Sequence, residues 1–279
     1  MKEKPKVTVV TVCYNCHDVI EPTIRNVLKQ TYPNLEYIII DGNSTDGTRE
    51  VVERYAPHLA YWTSEPDAGI YDAMNKGIRA ATGQWIIFRN AGDYFFKPST
   101  IADVFAWYVD KGEAIITGGM RSFCSEGYRD KFYHQDKTDV WNKAFFPHPS
   151  AFIRMNVQKA HPYSTSFRIA SDYHFFQTLM LESASFICYP EIVALFDGSN
   201  GISSTQLPLS WKEILEVRKQ LGAPRWVVKE TKKKYLHVKL TAFIIGILRR
   251  NKRLFGIYHR KRQLAGWTLQ PLSLTLKEI

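Results

Sequence analysis

Residues 7–41, VTVVTVCYNCHDVIEPTIRNVLKQTYPNLEYIIID, indicate the fold class of the chain. They open with a β-branched run over Val7–Val12, continue with apolar residues at helical spacing over 19–30, and end in an apolar run over Tyr37–Ile40. Continuous apolar runs are typical of strands that are buried on both faces. A strand, a helix and a second strand in succession form a parallel βαβ unit, so we predict an α/β fold.

The alternation of strand and helix signals continues to about residue 98, and shorter elements follow over 99–208. This order predicts a Rossmann-like, mostly parallel sheet with helices on both faces. Residues 209–279 carry helical and basic patterns only. We therefore predict one α/β domain over 1–208, followed by a C-terminal helical extension over 209–279. Late in the α/β domain, two short strands are expected near 186–189 and 192–196.

The composition is that of a globular protein whose basic charge is concentrated in one segment. The chain has 279 residues, of which 45% are hydrophobic and 23% charged, so it does not belong to the disordered class. The net charge is +10. Between Arg225 and Arg262 there are 13 Lys or Arg residues and one acid, which leaves 24 basic and 26 acidic residues elsewhere. The body of the protein is therefore almost neutral.

The basic segment over 225–262 is also amphipathic, because apolar residues from Trp226 to Tyr258 interleave with its Lys and Arg clusters. A basic amphipathic helix is typical of an anchor on an anionic membrane surface. A solvated helix that covers the α/β domain and a dimer interface stay open as alternatives. The segment shows no RNA-binding signature and few aromatics among its lysines, so nucleic acid is not expected as a partner.

The sequence predicts a cytoplasmic protein that is peripheral to the inner face of the plasma membrane. The N-terminal residues lead directly into a strand and contain no signal-peptide apolar region. The longest apolar stretch, Leu240–Leu248, has nine residues, whereas a spanning helix needs about 20. The pair Cys13 and Cys16 has the spacing of a redox or zinc motif, but no second pair accompanies it, so we interpret it as structural.

Polar residues follow three of the expected strands: Asn15, Asp41 and Asp93. Because ligands bind at the carboxyl ends of parallel strands, these side chains are expected to converge on one crevice. The alternative is that Asp and Asn simply end strands and cap helices. The pattern alone leaves both interpretations open.

Four stretches resemble family 2 glycosyltransferases in their order and spacing. They read Val9-Val-Thr-Val-Cys-Tyr-Asn15, Ile40-Asp-Gly-Asn-Ser-Thr-Asp-Gly-Thr48, Ser64-Glu-Pro-Asp-Ala-Gly-Ile-Tyr-Asp-Ala-Met-Asn-Lys-Gly77 and Asn90-Ala-Gly-Asp93. The resemblance implies a GT-A fold, a nucleotide-diphospho-sugar donor and inversion at the anomeric carbon. It also implies a nucleotide-sugar-binding half over 1–98 and an acceptor half over 99–208.

The resemblance assigns donor-binding roles to individual residues. Asp41 looks like the carboxylate that accepts a hydrogen bond from the base, typically uracil, and a carboxylate can accept from an imide N–H. Lys76 is placed near the diphosphate, although a solvated helix position is equally compatible. The full set of donor-binding residues that the resemblance implies is Thr11, Tyr14, Asn15, Asp41, Asp67, Asn75, Lys76 and Asn90.

The resemblance also implies a metal, Mg²⁺ or Mn²⁺, held against the diphosphate by Asp93. Ala91 stands where the first carboxylate of the family motif is common, so one carboxylate remains. Phe146-Pro-His-Pro-Ser150 is similar to the stretch that carries a downstream His in related enzymes, which makes His148 a second candidate ligand or a diphosphate contact. A structural role for His148 between its two prolines stays open.

Asp172, in Ala170-Ser-Asp172-Tyr173, resembles the acidic residue that opens a helix in the family and acts as the catalytic base. A hydroxyl is a poor nucleophile, and a carboxylate within reach removes its proton as the new bond forms. The alternative role is capping of a helix over 171–182. His174 stands where many relatives have a second Asp, so the role of that position is open.

The predicted function is transfer of a sugar from a UDP-sugar to a hydroxyl of a lipid-linked or saccharide acceptor. Lipopolysaccharide, capsule or exopolysaccharide synthesis is the expected setting, and a homo-oligomer is left open. One alternative is a nucleotidyltransferase that makes sugar nucleotides, although the N-terminal region has no Gly-rich phosphate loop. The other is a non-catalytic, sugar-nucleotide-binding protein at the membrane, which the missing carboxylate at Ala91 would suit.

Overall fold

The computed structural model describes residues 4–124, 127–132, 140–141, 147–197, 201 and 205–248. These residues fall into two compact units. The first contains the chain up to Arg121 and Asp130–Phe196, and the second contains Ser122–Arg129 and the residues that follow from Asp197.

Nine strands of the described residues form a sheet at the centre of the fold, in the order β3-β2-β1-β4-β8-β6-β9-β5, with β7 paired to β6. Its strands alternate with helices along the first hundred residues, as the sequence predicts. The strands are β1 Val7–Cys13, β2 Leu35–Asp41, β3 Tyr61–Ser64, β4 Trp85–Phe88, β5 Tyr94–Phe95, β6 Ile115–Cys124, β7 Gly127–Lys131, β8 Ala151–Arg154 and β9 Phe186–Asp197.

Strands β3, β2, β1 and β4 pair in parallel, and this half of the sheet brings polar residues to one edge. In its register, Cys13 lies beside Asp41, and Asp41 lies beside Ser64. Beyond β4 the pairing becomes antiparallel, from β4 to β8 and from β8 to β6. The α/β fold class is therefore confirmed, with parallel pairing in the first four strands.

Two apolar layers cover the sheet, because successive residues of a strand point to opposite faces. On one face, Val10 belongs to the same apolar cluster as Met74. On the other face, Val9 belongs to the same apolar cluster as Ile20. The helices of the first unit are α1 His17–Leu28, α2 Thr48–Tyr55, α3 Ile70–Ala80, α4 Thr100–Trp107, α5 Met155–Ala160 and α6 Ser171–Leu181.

Gly77 fixes the position of α3 on the sheet. A Cβ atom at this residue would lie 2.5 Å from Cγ1 of Val10, which is closer than atoms in contact can be. Only a glycine therefore lets α3 lie this close to β1. The first turn of α3 is thereby held at the edge of the sheet where Asp41 and Ser64 lie.

Strand β9 differs from the two short strands that the sequence predicts. It runs without a break from Phe186 to Asp197 and passes through Pro190. Proline lacks one ladder N–H, but its φ angle is compatible with extended backbone, so a strand can continue through it where that donor is not needed. Strand β7, which pairs with β6, was not expected from the sequence either.

Within its described residues, the second unit contains two helices, α7 Leu207–Gln220 and α8 Arg225–Leu248, that pack against each other. Nη1 of Arg218 in α7 donates a hydrogen bond of 2.6 Å to Oγ1 of Thr231 in α8. Among the helices in the described part of the chain, none has both the length and the apolar character that crossing a membrane requires. Residues 249–262, the second part of the basic segment, lie outside the described residues.

Candidate active site

Asp41 ends β2 and is fully buried. Its Oδ1 accepts a hydrogen bond of 2.5 Å from the hydroxyl of Ser44, and its Oδ2 accepts one of 3.0 Å from the N–H of the same residue. The hydroxyl of Ser64 donates to Oδ2 at 2.6 Å. Asp41 therefore anchors the loop after β2, and in this conformation a base can reach it only if one of the two serines moves.

Asn15 joins the loop after β1 to the loop after β2. Its N–H donates to Oγ of Ser44 at 2.8 Å, and its Oδ1 accepts from the N–H of Thr45 at 2.9 Å. Its φ of 45° lies in the left-handed region, which Asn tolerates better than most residues. Thr11, by contrast, is fully buried within β1, and its hydroxyl forms a hydrogen bond with the hydroxyl of Tyr37. The structure therefore places Thr11 outside the crevice.

Tyr14, Gly42 and Asp67 form a wall beside these two loops, in which Gly42 is buried behind the side chains of Tyr14 and Asp67. The side chain of Tyr14 is 64% exposed. A Cβ atom at Gly42 would lie 2.6 Å from Oδ2 of Asp67 and 3.3 Å from Cδ2 of Tyr14. An exposed aromatic ring and a partly exposed carboxylate thus meet at one place, which suits a flat ligand with a hydrogen-bond donor at its edge. Gly42 was not among the predicted residues, although it follows Asp41 directly.

The segment that leads into α3 is held by hydrogen bonds from nearby side chains. Oδ1 of Asp67 accepts from the N–H of Gly69 at 2.8 Å. Nζ of Lys76 donates to the carbonyl of Pro66 at 2.7 Å and forms an ion pair of 3.0 Å with Glu65. Lys76 is therefore occupied with its own segment, and its predicted place at a diphosphate is not what the structure shows.

Asn75 connects α3 to the loop before α6. Its Nδ2 donates to the carbonyl of Tyr163 at 2.8 Å, and its Oδ1 accepts from the N–H of Tyr163 at 2.9 Å. Both ends of the buried amide are thus bonded to one backbone position. Asn75 was predicted to bind the donor, but the structure gives it the role of fixing Tyr163.

Asp172 lies in the first turn of α6 and is partly buried. Its Oδ1 accepts hydrogen bonds from the hydroxyl of Tyr71 at 3.0 Å and from the N–H of Tyr173 at 2.7 Å. The residue at the N-cap is Ala170, and no side chain caps this helix. The alternative role of Asp172 as the N-cap is therefore not observed, and the carboxylate is held from the side by a residue of α3.

Asp93 belongs to a tight turn after β4, in which its N–H donates to the carbonyl of Asn90 at 2.9 Å. Beneath this turn lies Arg89, which is fully buried with its guanidinium carbon 3.9 Å from the ring centre of Phe95. Its Nε and Nη2 have no hydrogen-bond partner among the described residues, and the same is true of Oδ1 of Asn90. Burial lowers the pKa of Arg89 to about 9, although the charge of Asp93 acts in the opposite direction.

His148 is a core side chain rather than an accessible ligand. Its ring stacks on Phe88 with 5.2 Å between the centroids, and its Nε2 lies 2.8 Å from the hydroxyl of Tyr163. Burial and the charge of Arg89 lower the pKa of His148 to about 3. The geometry therefore supports the structural role for His148 and not the predicted metal or diphosphate contact.

Comparison with known proteins identifies the family. A model described as Glycosyl transferase family 2 matches residues 8–176, which is more than half of the chain. The chain belongs to this family. One of its glycosyltransferase relatives, an uncharacterized protein of Mycobacterium tuberculosis, is 31% identical over 217 residues, which are 75% of this chain and 80% of the relative. A PGL/p-HBAD biosynthesis glycosyltransferase of Mycobacterium bovis is 26% identical, over 78% of this chain and 87% of the relative.

Solved structures confirm the GT-A type of fold for this family 2 glycosyltransferase. S. aureus TarS 1-349, in complex with UDP-GlcNAc, has a TM-score of 0.66 and 17% identity, and the match covers 81% of this chain and 71% of the 1-349 chain. The mannosyltransferase PcManGT from Pyrobaculum calidifontis, in complex with GDP-Man and Mn²⁺, has a TM-score of 0.63 and 19% identity, over 95% of this chain and 81% of PcManGT.

A divalent cation in this glycosyltransferase would share Asp93 with ligands from outside the chain. Across the described residues, no group of three or more His, Cys, Asp or Glu side chains is arranged to hold a metal ion. Hard cations take oxygen ligands and can complete their shells with phosphate oxygens and waters. The residues present therefore fit Mg²⁺ or Mn²⁺ only as an ion that binds together with a diphosphate, with Asp93 as its protein carboxylate.

The buried His148 makes stability depend on pH. Between pH 7 and pH 5 the unfolded chain takes up a proton at this residue, because its ordinary pKa is 6.5, whereas the folded chain does not. At about 1.4 kcal/mol for each pKa unit, the free energy of unfolding should fall by about 2 kcal/mol from this residue alone.

Urea unfolding of wild type and His148→Gln at pH 7, 6 and 5 measures this dependence. The variant should be less stable at pH 7 and lose about 2 kcal/mol less on acidification. The exposed His58 provides a control for the substitution itself, since His58→Gln should be as stable as wild type at pH 7. Equal slopes for wild type and His148→Gln would show that His148 is protonated in the folded protein.

Proposed function

We propose that this family 2 glycosyltransferase moves a sugar from a nucleotide-diphospho-sugar to an acceptor hydroxyl with inversion, as a hexosyltransferase. A UDP-sugar is the first candidate donor. The hydrogen bond between Tyr71 and Asp172 carries the proposal. Tyr71 lies in the first turn of α3, directly after the segment of Asp67. The N-terminal end of α3 therefore contacts the candidate base Asp172 and follows directly on the wall.

The nucleotide is proposed to lie against the wall of Tyr14, Gly42 and Asp67. The exposed ring of Tyr14 can stack on a base, and the carboxylate of Asp67 can accept a hydrogen bond from base or ribose. TarS and PcManGT are recorded with UDP-GlcNAc and GDP-Man, which are both nucleotide-diphospho-sugars. We propose that Asp41 acts beneath this wall, by holding Ser44 and Ser64 in place.

The transfer is proposed to be a single displacement. The acceptor oxygen attacks the anomeric carbon while the bond from that carbon to the diphosphate oxygen breaks on the opposite side, and Asp172 takes the proton of the acceptor hydroxyl. Asp93 would hold a divalent cation that, when bound, stabilises negative charge on the diphosphate. The acceptor would be a lipid-linked or saccharide hydroxyl, and the product a cell-surface polysaccharide or glycolipid, since a relative acts in PGL/p-HBAD biosynthesis.

The test is a panel of UDP- and GDP-sugars with Mn²⁺, in which nucleotide release is measured with and without candidate acceptors. One donor should give slow hydrolysis that an acceptor accelerates. The anomeric proton coupling of the product, measured by NMR, should show the configuration opposite to that of the donor.

Two outcomes would contradict the proposal. Binding of a nucleotide sugar without release of the nucleotide from any member of the panel would indicate a non-catalytic binding protein. Formation of pyrophosphate from a sugar phosphate and a nucleoside triphosphate would indicate a nucleotidyltransferase.

We also propose that α8 attaches the enzyme to an anionic membrane surface, at the inner face of the plasma membrane. Leu240 and Phe243, on adjacent turns of one face, are 59% and 67% exposed. Lys232, Lys233 and Lys239 lie nearby along the same helix and are exposed. A helix with exposed apolar residues and several cations is typical of an interfacial anchor, in which each cation adds about 1 kcal/mol near an anionic leaflet.

Replacing both Leu240 and Phe243 by Glu should weaken binding to phosphatidylglycerol vesicles at least tenfold, because apolar burial is lost and two negative charges are added. Co-sedimentation of the full chain with anionic and with neutral vesicles measures this. Val109→Glu changes an apolar residue of the first unit that is 66% exposed, and it should bind like wild type. Unchanged binding of the double variant would contradict the anchor.

A further inference from the structure

The hydroxyl of Tyr71 lies between two oxygen acceptors. It is 2.5 Å from the carbonyl oxygen of Ile169 and 3.0 Å from Oδ1 of Asp172. A phenol has a single proton to donate, so at any moment one of these oxygens receives it. The direction of the O–H bond therefore depends on which of the two is the stronger acceptor.

We propose that Tyr71 is a positioning residue whose hydroxyl proton turns between Asp172 and Ile169 as Asp172 gains and loses the proton of the acceptor. This inference rests on the proposed role of Asp172 as the base. An ionised carboxylate is the stronger acceptor, so before transfer the O–H of Tyr71 donates to Asp172 and holds it in place. Once Asp172 has taken the acceptor proton it becomes a weaker acceptor, and the O–H turns to Ile169.

No proton leaves Tyr71 in this cycle. The proton that Asp172 gains is the one that the acceptor hydroxyl loses, and it passes to solvent when Asp172 ionises again. Burial and the charge of Asp172 hold the pKa of Tyr71 well above its usual range, so the phenol stays protonated. Ile169 gives the phenol a second acceptor, so that the O–H of Tyr71 is hydrogen-bonded in either state.

The surroundings hold the phenol rigidly. Its ring is buried and packs against that of Tyr163, with 5.5 Å between the centroids. Tyr163 is in turn held by the two hydrogen bonds to Asn75, which lies one turn further along α3. Gly77 places the same helix against β1. Because Tyr71 is fixed by this packing, the carboxylate of Asp172 that it contacts keeps its position through the reaction.

A purely structural role would be to hold the loop at Ile169, and the pH profile separates the two roles. Without the hydroxyl, the ionised form of Asp172 loses a hydrogen bond that favours it, so the pKa of this carboxyl rises. The base must be ionised to act, and the acidic limb of the kcat profile should therefore move to higher pH. Loss of a structural contact would lower activity at all pH values and leave the limb in place.

The experiment compares Tyr71→Phe with Tyr163→Phe in the full chain. Both variants keep the aromatic ring, but the hydroxyl of Tyr163 bonds to His148 rather than to Asp172. For Tyr71→Phe we expect kcat to fall about 10- to 100-fold and the acidic limb to rise by about one pH unit. Binding of UDP with Mn²⁺, measured by calorimetry, should change less than about threefold. Tyr163→Phe should keep the wild-type limb.

An unmoved acidic limb in Tyr71→Phe, at any level of kcat, overturns the inference. A large loss of UDP affinity also overturns it, because Tyr71 would then act on donor binding. The proposed function is tested separately by Asp172→Asn. If that variant is inactive while Tyr71→Phe behaves like wild type, the base assignment stands and only the role of Tyr71 fails.

Discussion

Asp172→Asn is expected to lower kcat for sugar transfer by about 10³-fold, the scale of losing a positioned general base. The amide oxygen can still accept the hydrogen bonds that Oδ1 of Asp172 receives from Tyr71 and Tyr173. The fold and the donor wall at Tyr14 and Asp67 should therefore be unchanged. The loss should appear in kcat, while the affinity for UDP stays within about threefold of wild type.

Steady-state transfer assays and calorimetry with UDP measure the two quantities. Glu182→Gln is the matched control, since Glu182 is a carboxylate directly after the last residue of α6 and forms an ion pair of 3.0 Å with His161. It should transfer sugar like wild type. Transfer by Asp172→Asn at a rate near that of wild type would show that another group removes the proton.

Asp41→Asn should cost about 3 kcal/mol of unfolding free energy and weaken UDP binding at least tenfold. The two oxygens of the fully buried Asp41 accept from the N–H and hydroxyl of Ser44 and from the hydroxyl of the partly buried Ser64. In the Asn variant one carboxylate oxygen is replaced by an NH₂ group. This NH₂ group would point at a serine group that donates a hydrogen bond to Asp41 in the wild type. A hydrogen bond to a charged group is worth about 1.5–3 kcal/mol, and an unpaired buried donor adds its own cost.

Urea unfolding and UDP calorimetry on the same preparations test this. Asp18→Asn removes an equal charge from a side chain that is 98% exposed, so it should leave both quantities within error of wild type. A loss of less than about 1 kcal/mol in Asp41→Asn would mean that Ser44 and Ser64 readily find other acceptors.

The parallel half of the sheet was predictable because its strands are marked by local pattern. The apolar runs of β1 and β2 are bounded by polar residues, and buried strands require such runs. Strand β9 was harder to predict, since Pro190 interrupts a ladder only if its missing N–H is needed, and that depends on the neighbouring strand. The antiparallel strands beyond β4 pair over long distances in sequence, for which local pattern carries little information.

Several residues of the candidate site have contacts that the sequence did not indicate. Asn75 bonds to Tyr163, 88 residues away, and the exposure of His148 depends on Phe88 and Tyr163. Such long-range partners decide whether a polar side chain faces a ligand or the core. Arg89 directly follows an apolar strand and gave no signal of burial, because arginine is normally exposed.

The contact between Gly77 and Val10 sets a limit on how this enzyme can be redesigned. Libraries that diversify the exposed Tyr14 would leave the scaffold intact, so new donor preferences can be sought there, whereas Asp67 also holds the N–H of Gly69 before α3. Position 77 admits no such variation, because any larger side chain would push α3 off β1 and carry Tyr71 away from Asp172. Under the proposed roles, variation at Tyr14 would thus change donor choice without disturbing the contact of Tyr71 with Asp172.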